Sequence, residues 1–202
     1  MFAMPETAIA MFPDVGATFM LPRLPGALGM FLGLTGHRLH GADAVHAGIA
    51  THFVPRESIS HLSAAIAADG VAAVAAAAQT LPPFSLAPHR EAIDRCFGAG
   101  SVAEILHRLE AEGTDWARET LATLRTVSPS SVLWSFAAIR RGAGLTLRDS
   151  LAAELKLTRT VTAHPDFAEG VRAMVVDKDR TPHWSPATIE AVDSARIAEM
   201  LS

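Results

Sequence analysis

Apolar positions in this chain fall into short, Pro- and Gly-punctuated runs up to about residue 57, and recur at helical spacing over most of the remaining length. Phe2-Ala3-Met4 reads as the end of a buried strand, stopped by Pro5. Ala17 to Leu21 reads as one or two helical turns ending before Pro22. Ala27 to Leu34 predicts a short buried helix closed at Thr35-Gly36, and Ala42 to Gly48 another one stopped by glycine. Ile49 to Val54 reads as a short strand ended by Pro55. Ile59, Leu62 and Ile66, then Val71 and Val74 beyond Gly70, predict one broken helix or two. Leu81 to Pro88 carries three prolines and reads as a linker. Beyond it the spacing predicts helices throughout. Ser101-Val102-Ala103-Glu104 is a capping box with Ile105, Leu106 and Leu109 inward. Trp116, Leu121 and Leu124 line the next helix. Pro129 opens a third, with Val132, Leu133, Phe136 and Ile139 on one side. Thr146-Leu147-Arg148-Asp149 starts a fourth, with Leu151, Leu155 and Val161 inward. Pro165 begins a further short turn, and the tail from Ser185 holds one or two more helices. The predicted class is mainly α with a small β remnant. The predicted division is residues 1–80, a linker at 81–88, and a helical region at 89–202.

Composition narrows the function classes. Half of the 202 residues are apolar, which argues against disorder. The net charge of -4, with no basic block, argues against nucleic-acid binding. No apolar run reaches the ~18 residues that span a bilayer, so no membrane partner is expected. The lone Cys96 cannot form an internal disulfide, which fits a reducing compartment, and a cytoplasmic location is expected. His37, His40, His46 and His52 are close in sequence. Their spacing matches no recognised zinc pattern, and no metal site is expected.

Candidate chemistry concentrates in FAMPETAIAMFPDVGATFMLPRL, Phe2 to Leu24. It holds the only two carboxylates of the first forty-two residues, Glu6 and Asp14, both in apolar surroundings. Ionised carboxylates in such a setting are costly unless paired or used. Pro13-Asp14-Val15-Gly16 is a turn signature. The plain reading is a helix-capping Asp and a surface Glu. The chemical reading is two acids converging on one small-molecule pocket. Near the other end, Arg172, Asp177, Lys178, Asp179 and Arg180 form a dense charge cluster. It reads as a salt-bridged solvated face, or alternatively as a contact for phosphate or an adjoining subunit.

The first stretch resembles the central motif of the crotonase superfamily, the enoyl-CoA hydratase/isomerase group. HPDFAEGVRAMVVDKDRTPHW, His164 to Trp184, is similar to a second signature of that superfamily's 3-hydroxyisobutyryl-CoA hydrolase branch. Two separated motifs in the right order carry the resemblance, with Asp14 in place of the small residue usual in hydratases. The resemblance implies the C-terminal part of a crotonase fold, of ββα-superhelix type, followed by a helical region, with residues 1–80 contributing an acyl-pocket loop. It implies thioester hydrolysis, as in valine catabolism, on an acyl-CoA substrate. No separate cofactor is expected, coenzyme A being part of the substrate. Glu6 and Asp14 become the catalytic and substrate-binding residues. Glu6 would act as general base toward water, or as nucleophile through a mixed anhydride, and Asp14 would hold the 3-hydroxyl. Proximity of the two carboxylates is expected to raise one of the two pKa values.

Members of that superfamily place both oxyanion-hole N–H donors upstream of the Pro-Glu motif, and the chain opens essentially on that motif. The expectation is therefore a truncated hydrolase, incomplete on its own. It would associate as a homo-oligomer or with a missing N-terminal segment. Two other readings compete: a hydratase or isomerase relative, and a non-catalytic helical fragment or oligomerisation module.

Overall fold

The computed structural model describes residues 1–201, with the side chains of Ser194, Arg196 and Leu201 outside the description. It is mostly helical. The helices, in chain order, are α1 (Ala17–Met20), α2 (Leu28–Thr35), α3 (Gly41–His46), α4 (Ile59–Asp69), α5 (Ala72–Ala77), α6 (Arg90–Phe97), α7 (Val102–Glu112), α8 (Asp115–Thr126), α9 (Pro129–Gly142), α10 (Leu147–Val161), α11 (Pro165–Val171) and α12 (Ser194–Leu201). Among the described residues, β structure reduces to one antiparallel bridge, with Phe2 and Leu39 exchanging hydrogen bonds of 2.9 and 2.8 Å. The strands expected at Phe2-Ala3-Met4 and at Ile49 to Val54 do not form. A strand needs a neighbour to take its N–H and C=O groups. Phe2 finds a single partner, and residues 49–54 bridge to none among the described residues.

The chain divides into two compact units. One comprises residues 1–2 and 38–88. There, Asp43 on α3 is buried, accepting from the Ser85 N–H at 3.0 Å and its hydroxyl at 2.7 Å, which holds its carboxyl below the usual range against burial. His46 stacks on Phe84 and meets the Pro82 carbonyl at 2.8 Å. The helix pair α4 and α5 buries only Ala73.

The other unit comprises residues 3–37 and 89–202. The Pro-Glu stretch thus groups with the C-terminal helices. Its core joins Ala10, Met11 and Phe12 to Trp134 and Ala138 on α9, Leu157 and Val161 on α10, and Ile197 on α12. A second aromatic cluster sets Phe31 of α2 edge-on to Phe97 of α6 and against Trp116 of α8. Helix starts obey the sequence signals. Ser101, Thr114, Ser128 and Thr146 each accept the N–H three residues on, and Pro129 and Pro165 sit in first turns.

Candidate active site

Glu6 opens a 3-10 turn, Glu6–Ile9, directly after Pro5. The turn closes on Ala10, a left-handed residue, where the Met11 N–H returns to the Glu6 carbonyl at 2.9 Å. The next residues are tied to α9. The Met11 carbonyl accepts the Ser131 hydroxyl and the Trp134 indole N–H, and the Thr7 carbonyl accepts the Ser128 N–H at 3.1 Å. Thr7 donates its hydroxyl to the Leu34 carbonyl at 3.3 Å. The backbone around Glu6 is thus tied down by hydrogen bonds on both sides of the turn. Glu6 Oε2 is buried with no hydrogen-bond partner, a costly state for a charged oxygen. Burial foremost, with the charge of Asp14 added, pushes the Glu6 carboxyl up to about 7, against the pull of its own backbone N–H. A carboxyl balanced near neutrality can take a proton from water and return it.

Asp14 lies on the next turn, where its carbonyl accepts the Ala17 N–H at 2.9 Å. Its side chain caps no helix: the residue capping α1 is Gly16, so the plain reading of Asp14 fails. The surface reading of Glu6 fails on its buried Oε2. Asp14 is also raised, by burial first and then by the charge of Glu154. Both carboxyls therefore shift upward, where proximity alone predicts one; burial acts on each separately.

The turn carrying Asp14 is an unusual one. Val15 (φ 51°) and Gly16 (φ 89°) are consecutive left-handed residues. Glycine takes that conformation freely, whereas a β-branched residue is strained in it. What holds the turn is a carboxylate from far along the chain. Glu154 on α10, buried, accepts from the Gly16 N–H at 2.8 Å through Oε2, and from the Thr18 N–H at 3.0 Å and hydroxyl at 2.5 Å through Oε1. Sequence reasoning does not reach Glu154. The signal that could find it is the series Ser150, Glu154, Leu157, Val161, the stripe α10 actually buries. Apolar spacing alone selects Leu151 and Leu155, which are exposed at 44% and 57%. Arg23 is a second unforeseen tie. It donates to the carbonyls of Phe19 at 2.5 Å, Gly142 at 3.0 Å and Leu145 at 2.9 Å, and lies over the Phe19 ring.

The second motif is built around Arg172, which pairs with Glu169 at 2.8 Å, Asp177 at 2.7 Å and Asp179 at 2.6 Å. These bonds hold Glu169 and Asp179 below their usual range. The salt-bridged reading of that cluster describes its geometry. The motif also reaches the first one through its glycine, since a Cβ on Gly170 would fall 2.6 Å from Ile9 Cα, at the end of the turn that carries Glu6.

The chain is 40% identical to the mitochondrial 3-hydroxyisobutyryl-CoA hydrolase of Danio rerio over all of its own length and 56% of the relative's. It is 40% identical to that of Homo sapiens over 95% of its length and 53% of the relative's. It thus spans about half the length of the curated relatives it matches. Among solved structures, a carnitinyl-CoA dehydratase from Mycobacterium thermoresistibile superposes with a TM-score of 0.93 at 39% identity, over 99% of this chain and 58% of that one. An enoyl-CoA hydratase from Rhodobacter sphaeroides 2.4.1 superposes with a TM-score of 0.89 at 39% identity, over 98% of this chain and 58% of that one. The family description Enoyl-CoA hydratase/isomerase matches residues 1–201, and the chain belongs to that family.

Proposed function

We propose that this chain carries the acid pair of a CoA-thioester hydrolase of the 3-hydroxyisobutyryl-CoA type. The observation that supports the reading is the buried, unpartnered Oε2 of Glu6, on a carboxyl raised to about 7 beside Asp14. In the proposed cycle Glu6 takes a proton from water as the oxygen attacks the thioester carbon. The tetrahedral intermediate collapses with cleavage of the C–S bond, and the departing thiolate takes the proton back from Glu6. The products are a 3-hydroxy acid and free coenzyme A. Asp14 accepts a hydrogen bond from the substrate's 3-hydroxyl. The oxyanion donors, worth a few kcal/mol each, belong in this reading to the half of the relatives' length that the chain does not span. No separate cofactor enters, and association with such a segment or with a second copy completes the site. The Cys96 thiol is buried and raised, so it is inert and does not distinguish the cytoplasm from a mitochondrial compartment.

Release of free thiol from 3-hydroxyisobutyryl-CoA by the chain joined to the segment of its relatives that carries the oxyanion donors, with and without Glu6→Gln, tests the proposal. Release that falls by about a hundredfold or more in the variant supports it. The two superposed structures, a dehydratase and a hydratase by name, favour a second reading, in which water adds to an enoyl thioester without releasing thiol. That activity, unaffected by Asp14→Gly, would replace the hydrolase reading. Thiol release unchanged in Glu6→Gln would remove Glu6 from the mechanism.

A further inference from the structure

We propose that Glu154 is a positioning residue for this acid pair: from α10 it holds the Val15-Gly16 turn, and with it the adjoining Asp14, in place. The proposal rests on the hydrolase reading for its catalytic meaning, but its geometry stands apart from it. Three donors converge on one buried carboxylate, two of them the first amides around the N-terminus of α1. A four-residue helix cannot hold its own start, and the anion supplies both the acceptors and the charge that the free N–H groups favour. Each carboxylate oxygen faces a backbone N–H. Only a group that accepts at both ends satisfies them. A glutamine, nearly the same size, would turn its NH2 against one of these donors. Apolar packing cannot substitute either, because Gly16 and Thr18 would then keep buried, unpaired amides.

The placement has an electrostatic consequence. Asp14 and Glu154 carry like charge, and Glu154 adds to the upward shift of Asp14. Other charged groups near this turn include Glu6, which Asp14 raises in turn, Arg23, which lies over the Phe19 ring of α1, and Arg141 and Lys156, which line the small cavity of about 40 Å³ beside Thr18 and Glu154. Glu154 therefore both fixes where Asp14 sits and helps set when it is charged.

The test compares the chain with Glu154→Gln and Thr18→Val by amide hydrogen exchange, by carboxyl 13C titration of Asp14, and by thiol-release kinetics. In Glu154→Gln the Gly16 and Thr18 amides are expected to exchange about tenfold faster while Ile139 on α9 keeps its protection. The Asp14 midpoint is expected to move down toward the usual aspartate value. KM for the hydroxylated thioester is expected to rise about tenfold, with a smaller change in kcat. Thr18→Val deletes one of the three donors and keeps the volume, and should give a smaller acceleration confined to the same two amides. An unchanged Asp14 midpoint and unchanged exchange in folded Glu154→Gln would overturn the proposal. So would an acceleration spread evenly over the unit, which marks simple loss of stability. Exchange and midpoint that move as expected, in a chain that releases no thiol even when joined to the segment that carries the oxyanion donors, support the Glu154 placement and count against the hydrolase reading instead.

Discussion

At the scale of single residues, the site is a place where charge is held in conditions that do not suit it. The folded Glu6 carboxyl binds its proton more tightly than the unfolded one, its pKa rising from 4.5 to about 7. An acid whose pKa is raised by folding contributes stability that is full at low pH and is lost as pH climbs through that interval. With the discount for partial solvent access, the loss between pH 4.5 and 7 is about 1–2 kcal/mol. Glu6→Gln should therefore be more stable than the parent at about pH 8 and no more stable at about pH 4, measured by urea unfolding at both. Asp14→Asn removes the like charge, so the Glu6 midpoint should fall in that variant, and a midpoint unmoved would separate the two groups. Val15 offers a second test. Its side chain is 83% exposed, so its left-handed φ of 51° brings strain with little packing in return. Asparagine tolerates that conformation, and Val15→Asn should raise stability by about 0.5–1 kcal/mol, read from the denaturant midpoint. Glu6 and Asp14 are legible in the sequence because charge in an apolar stretch is conspicuous. Glu154 is not, because it sits among the charged positions of an amphipathic helix and its partners lie 136 and 138 residues away.

Secondary-structure elements meet at this site through glycines, and that controls which helices can support it. Gly142 on α9 lets the Thr18 carbonyl of α1 approach so closely that a Cβ would lie 1.9 Å from it. Gly170 on α11 does the same for the backbone of Ile9. Real Cβ atoms cannot occupy those positions, so Gly170→Ala must push the Glu6 turn or α11 aside. The expected cost is about 1–3 kcal/mol, with a displaced Glu6 titration midpoint. Full stability together with an unmoved midpoint would show that α11 does not support the turn. Local signals read well at this scale. The cap at Ser101 and the proline at the start of α9 are visible because each acts within a single helical turn. Of the inward face of α10 the sequence finds Val161 and misses Ser150 and Glu154, for a physical reason. Leu151 and Leu155 carry the apolar period, yet the helix is rotated so that Ser150 and Glu154 point inward. Three hydrogen bonds to the Asp14 turn favour that orientation over burying two leucines. A hydrophobic period cannot register a helix that turns a carboxylate inward.

Across the whole molecule, burial is distributed unevenly, and stability should track it. Helical class is legible from spacing, whereas among the described residues the β remnant shrinks to one bridge because strand pairing depends on residues far apart in sequence. The same spacing argument makes 59–77 look like ordinary amphipathic helix. There Ile59 and Ile66 are 52% and 38% exposed, and α4 buries no residue at all. Helix α9, by contrast, encloses Val132, Trp134 and Ile139 almost completely. Amides held only by a helix's own hydrogen bonds exchange through local opening, and those under a packed core wait for global unfolding. Hydrogen exchange should therefore rank α4 at least about a hundredfold less protected than α9 in dilute solution. Raising the protein concentration distinguishes what the exposed face of α4 does. Protection in α4 that grows with concentration while α9 stays constant would mean that a second copy covers Ile59 and Ile66, as an exposed apolar face invites. Protection in α4 equal to that of α9 at every concentration would contradict the local-opening account. It would require α4 to be tied into the same cooperative unit as the buried helix.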